Sequence, residues 1–396
     1  MRFSEIAGNT GIFVDGDWIE KKDQDANGAV RLIQLADVGP GDFRDKSDKH
    51  ITVEKAAELH CTFLQKGDIL IARLGEPLCK ACIFPLDGLY ITAVDVAVLR
   101  IGSEIVNPKY LVYFLNSPWF KDQVKQYESG TTRKRISRKN LDRIEMTFPS
   151  LPEQERIVAR IEELFSQLDA GVETLRKTKA QLAVYRQAVL KEAFSSCVDS
   201  ITMGSIAKMI DPQPSHRTPP EFENGVPYIG IGDIDYTEKS IQFKEARKVN
   251  PTVLEEHLRR YTLHDGDFLM GKIGTIGKPF RVPLPQNYTL SANVILIQPD
   301  SRKIHPEYLF WQFSSPLITE QLMEGKNETS QPAFGIQKAR LLKIKTCSPE
   351  EQEKIVYGIR EKISVCENIE QTVNIALAQA EAMRQSILKE AFEGRL

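Results

Sequence analysis

The residues best equipped for chemistry are cations on polar loops. Segment 131–140 reads TTRKRISRKN and carries Arg133, Lys134, Arg135, Arg138 and Lys139 with no acid. Segment 338–345, KARLLKIK, carries Lys338, Arg340, Lys343 and Lys345, again with no acid. Each follows a polar stretch, SGTT at 129–132 and NETSQ at 327–331. Phosphate contacts need cations for charge and neutral donors for register. A lone basic run is ordinarily a solvated face, but its recurrence favours binding. Two further pairs of cations follow matching apolar runs: Arg73 and Lys272 directly, Lys80 and Lys278 a few residues on. Cations on a tight loop can enter a groove, where arginine reads guanine and glutamine reads adenine. The candidate DNA-contacting set is Arg73, Lys80, Thr132, Arg133, Lys134, Arg135, Arg138, Lys272, Lys278, Lys326, Gln331 and Lys338.

Other chemistries lack their residues. GKIGTIGKP (271–279) has Lys272 where a phosphate loop needs its first glycine, and Pro279 where it needs Ser or Thr. The GIGD run at 230–233 lacks the third glycine of a dinucleotide fingerprint. Cys79-Lys-Ala-Cys82 is a single CxxC without a second ligand pair, which reads as two packed thiols. The six histidines form no metal spacing and no GxSxG occurs, so no catalytic or metal-binding residue is expected. Asn327-Glu328-Thr329 matches a glycosylation sequon and reads as chance.

The elements that must position these cations come in duplicate. YRQAVLKEAF (185–194) and MRQSILKEAF (383–392) share seven of ten residues at an offset of 198. EQERIV (153–158) and EQEKIV (351–356) share five of six at the same offset. NPKYLVYFLNSP lies over HPEYLFWQFSSP, and LQKGDILIARLGE over LHDGDFLMGKIGT. Within each half, about 150 residues of short strand-like runs and turns precede a region of strong helix formers. A short helix is expected at 108–127 and at 306–324. Ile161, Leu168, Leu175, Leu182 and Val189 recur every seven residues, as do Ile359, Cys366, Val373, Ala380 and Ile387. That period predicts a coiled-coil seam between two helices, each roughly 60 Å long. Antiparallel pairing would set the two globules at opposite ends of a rod. Segments 39–60 and 235–260 hardly align, so the halves differ most in their loops.

The predicted architecture is α+β: globular α/β domains at 1–150 and 197–348, long helical spacers at 151–196 and 349–396. The length of 396 residues, with 41% hydrophobic and 27% charged, excludes a mini-protein or a mostly disordered chain. No run of 18 apolar residues occurs, and the opening MRFSEIAGNTGIF lacks the pattern of a signal peptide. Six cysteines make no disulfide framework, and the expectation is a reducing cytoplasm. A net charge of −2 leaves any nucleic-acid partner to local clusters.

The duplicated order, the paired EQ-x-IV helix starts and the paired LKEAF helix ends resemble the specificity subunit of type I restriction–modification systems, over essentially the whole chain. The resemblance implies that each globule is a target recognition domain reading half of a bipartite site in double-stranded DNA. It implies that the helices form a ruler and dock two methylation subunits. S-adenosylmethionine would then lie in those subunits, and ATP and Mg in restriction subunits, with no cofactor in this chain. Two other readings remain at this stage. One is a coiled-coil scaffold; the other is an orphan methylation system without a restriction partner.

Overall fold

A computed structural model describes residues 1–273, 275–324 and 334–396. The chain divides into two units, one of residues 1–175 with 374–396, the other of residues 176–373. In the first, β1 (Ile12–Val14), β2 (Ile69–Ala72), β3 (Ala81–Ile83) and β4 (Val96–Arg100) form an antiparallel sheet in the order β1-β4-β2-β3. A smaller sheet sets residues 30–33 between an antiparallel strand at 49–51 and a parallel one at 90–92. The second unit repeats both sheets. Its β5 (Ala207–Ile210), β6 (Phe268–Gly271), β7 (Pro279–Arg281) and β8 (Val294–Pro299) run in the order β5-β8-β6-β7. Its smaller sheet places 221–229 between 248–249 and 289–290.

The central strands read as unbroken apolar runs because the sheet is covered on both faces. Side chains alternate across a strand. Ile69, Ile71, Ala97 and Leu99 accordingly join one core cluster, while Leu70, Ala72, Val96 and Val98 join another. The repeated Gly-Asp before β2 and β6 is structural. Gly67 and Gly266 take φ of 96° and 89°, where a side chain would be strained. Asp68 then accepts the Gln65 N–H at 2.8 Å and the Arg100 Nε–H at 2.8 Å. Asp267 accepts the His264 N–H at 2.9 Å and Gln298 Nε2–H at 2.6 Å. Each aspartate closes a turn and ties it to the far end of the neighbouring strand.

The single helix expected at 108–127 is two, α1 (Pro108–Asn116) and a second at Pro118–Lys125. Proline disfavours helical backbone in the residue before it. Ser117 is extended there, and its hydroxyl caps the second helix by accepting the Phe120 N–H. The other repeat breaks before Pro316, after α3 (Pro306–Phe313).

The long helices are α2 (Leu151–Ala193) and α4 (Pro349–Phe392). Buried glutamines explain the EQ motif. Gln154 is 0% exposed; its Oε1 accepts the Asn107 N–H at 2.8 Å and its Nε2 donates to the Ile105 and Pro149 carbonyls, both at 2.9 Å. Asn107 is the residue that caps α1, so the glutamine fastens the helix start to its globule. Gln352 repeats this on His305, the cap of α3, at 2.8 Å. Replacing Gln154 by Ala strands three partly buried backbone groups. The expected loss is about 3 kcal/mol on urea unfolding, with Gln352→Ala alike and an exposed control such as Gln181→Ala near zero.

The LKEAF ends close the opposite grip. In the first unit Phe392 packs edge-on against Tyr110 and Phe114, with ring centroids 5.2 Å apart in both pairs. In the second, Phe194 meets Tyr308 at 5.3 Å. Pairing within each unit is antiparallel. Arg156 reaches the Leu396 carbonyl at 3.1 Å, and Asp169 pairs with Arg384. In the second unit Arg186 pairs with Glu370 at 2.7 Å, and Glu192 with Lys362 at 3.9 Å. Seam positions Ile161, Val189, Ile359, Cys366 and Val373 are buried as the seven-residue period requires.

Candidate nucleic-acid interface

In the first unit the C-terminal ends of β1 and β2 and the start of β4 lie at one edge of the sheet. The basic loop is fastened there. Ser129 and Arg135 exchange two backbone hydrogen bonds of 2.9 Å, closing the loop. The Gly75 N–H donates to the Lys134 carbonyl at 3.0 Å, and the Ile136 N–H to Arg73 at 3.0 Å. Gly130 has φ 93°, and a Cβ there would lie 2.3 Å from the Arg133 carbonyl oxygen, so this turn requires glycine.

The result is an open cleft of about 620 Å³, lined by Asp17, Trp18, Leu74, Asp95, Thr131, Thr132, Arg133 and Arg135 among others. Thr132, Arg133 and Arg135 are exposed at its rim, and Trp18 is 71% exposed. Lys134 sits beside them and pairs with Glu128 at 2.9 Å. Lys80 is half-buried. Asp17 accepts the Thr62 N–H at 3.1 Å; burial is the larger influence and pushes its carboxyl up to about 6.

Two of the proposed contacts are engaged within the fold, and one of them, Arg73, is turned inward, which corrects its reading as a free groove cation. Arg73 is 12% exposed and pairs with Asp15 at 3.0 Å. Arg138 donates from Nε to the same carboxylate at 3.1 Å and from Nη1 to the Phe13 carbonyl at 3.1 Å. These arginines join the end of β1 to the end of β2 and to the basic loop. Lys272 does the same in the second unit: it is 14% exposed and its Nζ bonds Asp211 at 2.8 Å. The Phe334 N–H donates to the Lys272 carbonyl as Ile136 does to Arg73. A cation at the end of the second sheet strand is thus a framework feature, with the strand-one aspartate as partner. Burial and engagement by a carboxylate explain why solvent-facing chemistry does not fall to Arg73 and Lys272; Arg138 is tied to the same carboxylate as Arg73 but stays 41% exposed.

The remaining candidates divide by position. Lys278 is exposed, with Nζ 4.9 Å from the centre of the Tyr236 ring. Lys338 is exposed on the short helix Ile336–Arg340. Lys326, Gln331 and the sequon at 327–329 lie outside the described residues. Cys79 and Cys82 are fully buried in two different core clusters, and burial pushes their thiols up to about 11 and about 12. They are packing residues. Trp18 and Asp95 escaped the sequence reading. A tryptophan among polar neighbours in GDWIE was the available signal for the first, and nothing marked the second.

At the matching edge of the second unit, segment 211–217 is held through Gln213. Its Oε1 accepts from Nε2 of His257, and Nδ1 of His257 faces the Thr289 hydroxyl. His257 is fully buried, and desolvation lowers its pKa below the ordinary 6.5. An unfolded chain takes up a proton below pH 6.5 that the folded imidazole refuses until lower pH. His257 therefore supports the fold above that pH and loses its contribution as the pH falls. The stability gap between wild type and His257→Gln should narrow from about pH 7.5 to about pH 5.5, read by urea titrations at each pH.

Two copies of one framework, alike in strands and helix grips and different in loops, define a duplicated two-headed binding protein. The comparisons assign the family. A model described as the type I restriction modification DNA specificity domain matches residues 10–182 and again 201–379, and the chain belongs to that family. It is 23% identical over 325 residues to the EcoBI specificity subunit of Escherichia coli, covering 75% of this chain and 68% of that one. It is 25% identical over 317 residues to the EcoKI specificity subunit of Escherichia coli strain K12, covering 74% and 67%. A chain from a solved type I R-M system, described for its complex assembly and conformational transition, superposes with a TM-score of 0.70 at 18% identity. It covers 100% of this chain and 97% of that one, a likeness of fold. Among the described residues no helix is long and apolar enough to cross a membrane.

Proposed function

We propose that this chain is the non-catalytic, sequence-reading subunit of a type I restriction–modification complex. Each recognition domain reads one half of a bipartite duplex site. The paired helices set the gap between the halves and dock two methylation subunits. S-adenosylmethionine belongs to those subunits, and ATP and Mg to restriction subunits. The observation that carries the reading is the double family match on a chain whose repeats keep their framework and change their loops. The basic loop fastened at the rim of an open cleft supports it. Rim cations that neutralise phosphates release counterions, so affinity falls steeply with salt.

The test is methylome sequencing of a host expressing this chain with its methylation subunit. A two-part methylated motif with a fixed gap is expected. No new methylation from a complex shown to be assembled would transfer the role to a scaffold.

A further inference from the structure

The first recognition cleft holds a carboxylate that its surroundings do not use. Asp95 lines the cleft at the start of β4, half-buried, and its carbonyl is fixed by the Arg73 N–H at 2.8 Å. Among the described residues its carboxylate has no hydrogen-bond or ionic partner. The neighbouring acids are all engaged: Asp15 with Arg73 and Arg138, Asp17 with the Thr62 N–H. Arg133 and Arg135, with Thr131 and Thr132, line the same cleft as Asp95.

A lone carboxylate in a cleft that receives DNA repels phosphate. It is tolerated where it meets a donor on a base edge. In the major groove only the amino groups of cytosine and adenine are donors. Adenine sets its N7 acceptor beside that amino group, which opposes a second carboxylate oxygen, whereas cytosine presents N4–H2 alone. The second unit has Asn293 at the equivalent position, and its side-chain oxygen is already taken by the Ile231 N–H at 3.1 Å. The two heads therefore differ here in charge and in availability.

We infer that Asp95 reads a cytosine in one half of the site, accepting a hydrogen bond from its N4 amino group, while Arg133 and Arg135 hold the flanking phosphates. This rests on the DNA-reading role proposed above. The experiment is methylome sequencing with the full chain and its methylation subunit, comparing wild type, Asp95→Ala and Asp95→Asn. The wild type should give a two-part motif with a C·G pair at a fixed position of one half. Asp95→Ala should relax that position alone, with discrimination falling about 5- to 150-fold and the other half unchanged. Asp95→Asn, which offers both donor and acceptor, should move the preference at that position toward adenine. An unchanged motif in both variants, or an even gain in binding to every sequence as expected for a phosphate-repelling group, overturns the inference and leaves the DNA-reading role standing. Absence of any two-part motif from the assembled wild-type complex overturns that role as well.

Discussion

Removing one seven-residue period from each long helix should shorten the gap between the two half-sites by about three base pairs and leave both half-site sequences intact. The antiparallel pairing fixes which residues to remove. Asp169 meets Arg384, so within the first unit residues 169–175 lie across from 378–384. Seven residues return the seam to phase. They shorten each helix by about 10 Å at 1.5 Å per residue. Ten base pairs of duplex span about 34 Å, which converts that length to the stated change. Both grips, Gln154 with Asn107 and Phe392 with Tyr110, lie outside the deletion. Methylome sequencing reads gap and half-sites together. New half-site bases, or an unchanged gap, would count against the helices as a ruler.

The second large effect is expected at the rim of the first cleft. Arg133→Ala with Arg135→Ala should weaken duplex binding by about a hundredfold near physiological salt, since each charge-assisted phosphate contact is worth about 1.5 kcal/mol or more. The slope of log affinity against log salt should fall by about two, one for each lost phosphate contact. Lys134→Ala should cost less, because that ammonium already pairs with Glu128. Salt titrations of the complex on a duplex carrying the motif separate these outcomes. Arg73→Ala and Arg138→Ala should instead act through the fold, since both arginines hold Asp15. They should lower the unfolding temperature of the first unit, which the rim substitutions leave unchanged.

That contrast marks how far the sequence could be read. The repeat and the two long helices follow from motif identity and period, because a seven-residue apolar recurrence must be buried in a seam; the antiparallel direction, expected from the equal repeats, is not contained in the period itself. The two heads follow from the same alignment. The roles of individual cations do not. Arg73 stands 58 positions from Asp15, and a cation after a strand has the same local signature whether it faces a phosphate or a buried carboxylate. Lys272 repeats the ambiguity with Asp211, so the matched pair of strand-end cations reflects a shared framework. Asp95 was invisible for the converse reason: its lack of a partner is a property of the fold. The helix break at Ser117-Pro118 was missed although it has a local signal, a proline after a capping serine.

The placement of the helix grips bears on how new specificities are inherited. Gln154, Gln352, Phe194 and Phe392, with Tyr110 and Tyr308 as partners, belong to the framework that both repeats keep. Genetic exchange with a crossover inside the stretch encoding 151–193 would import a whole foreign head with its own tyrosine already suited to the resident phenylalanine. Lineages could then shuffle heads as cassettes, each recombinant inheriting a working joint and changing only what is read.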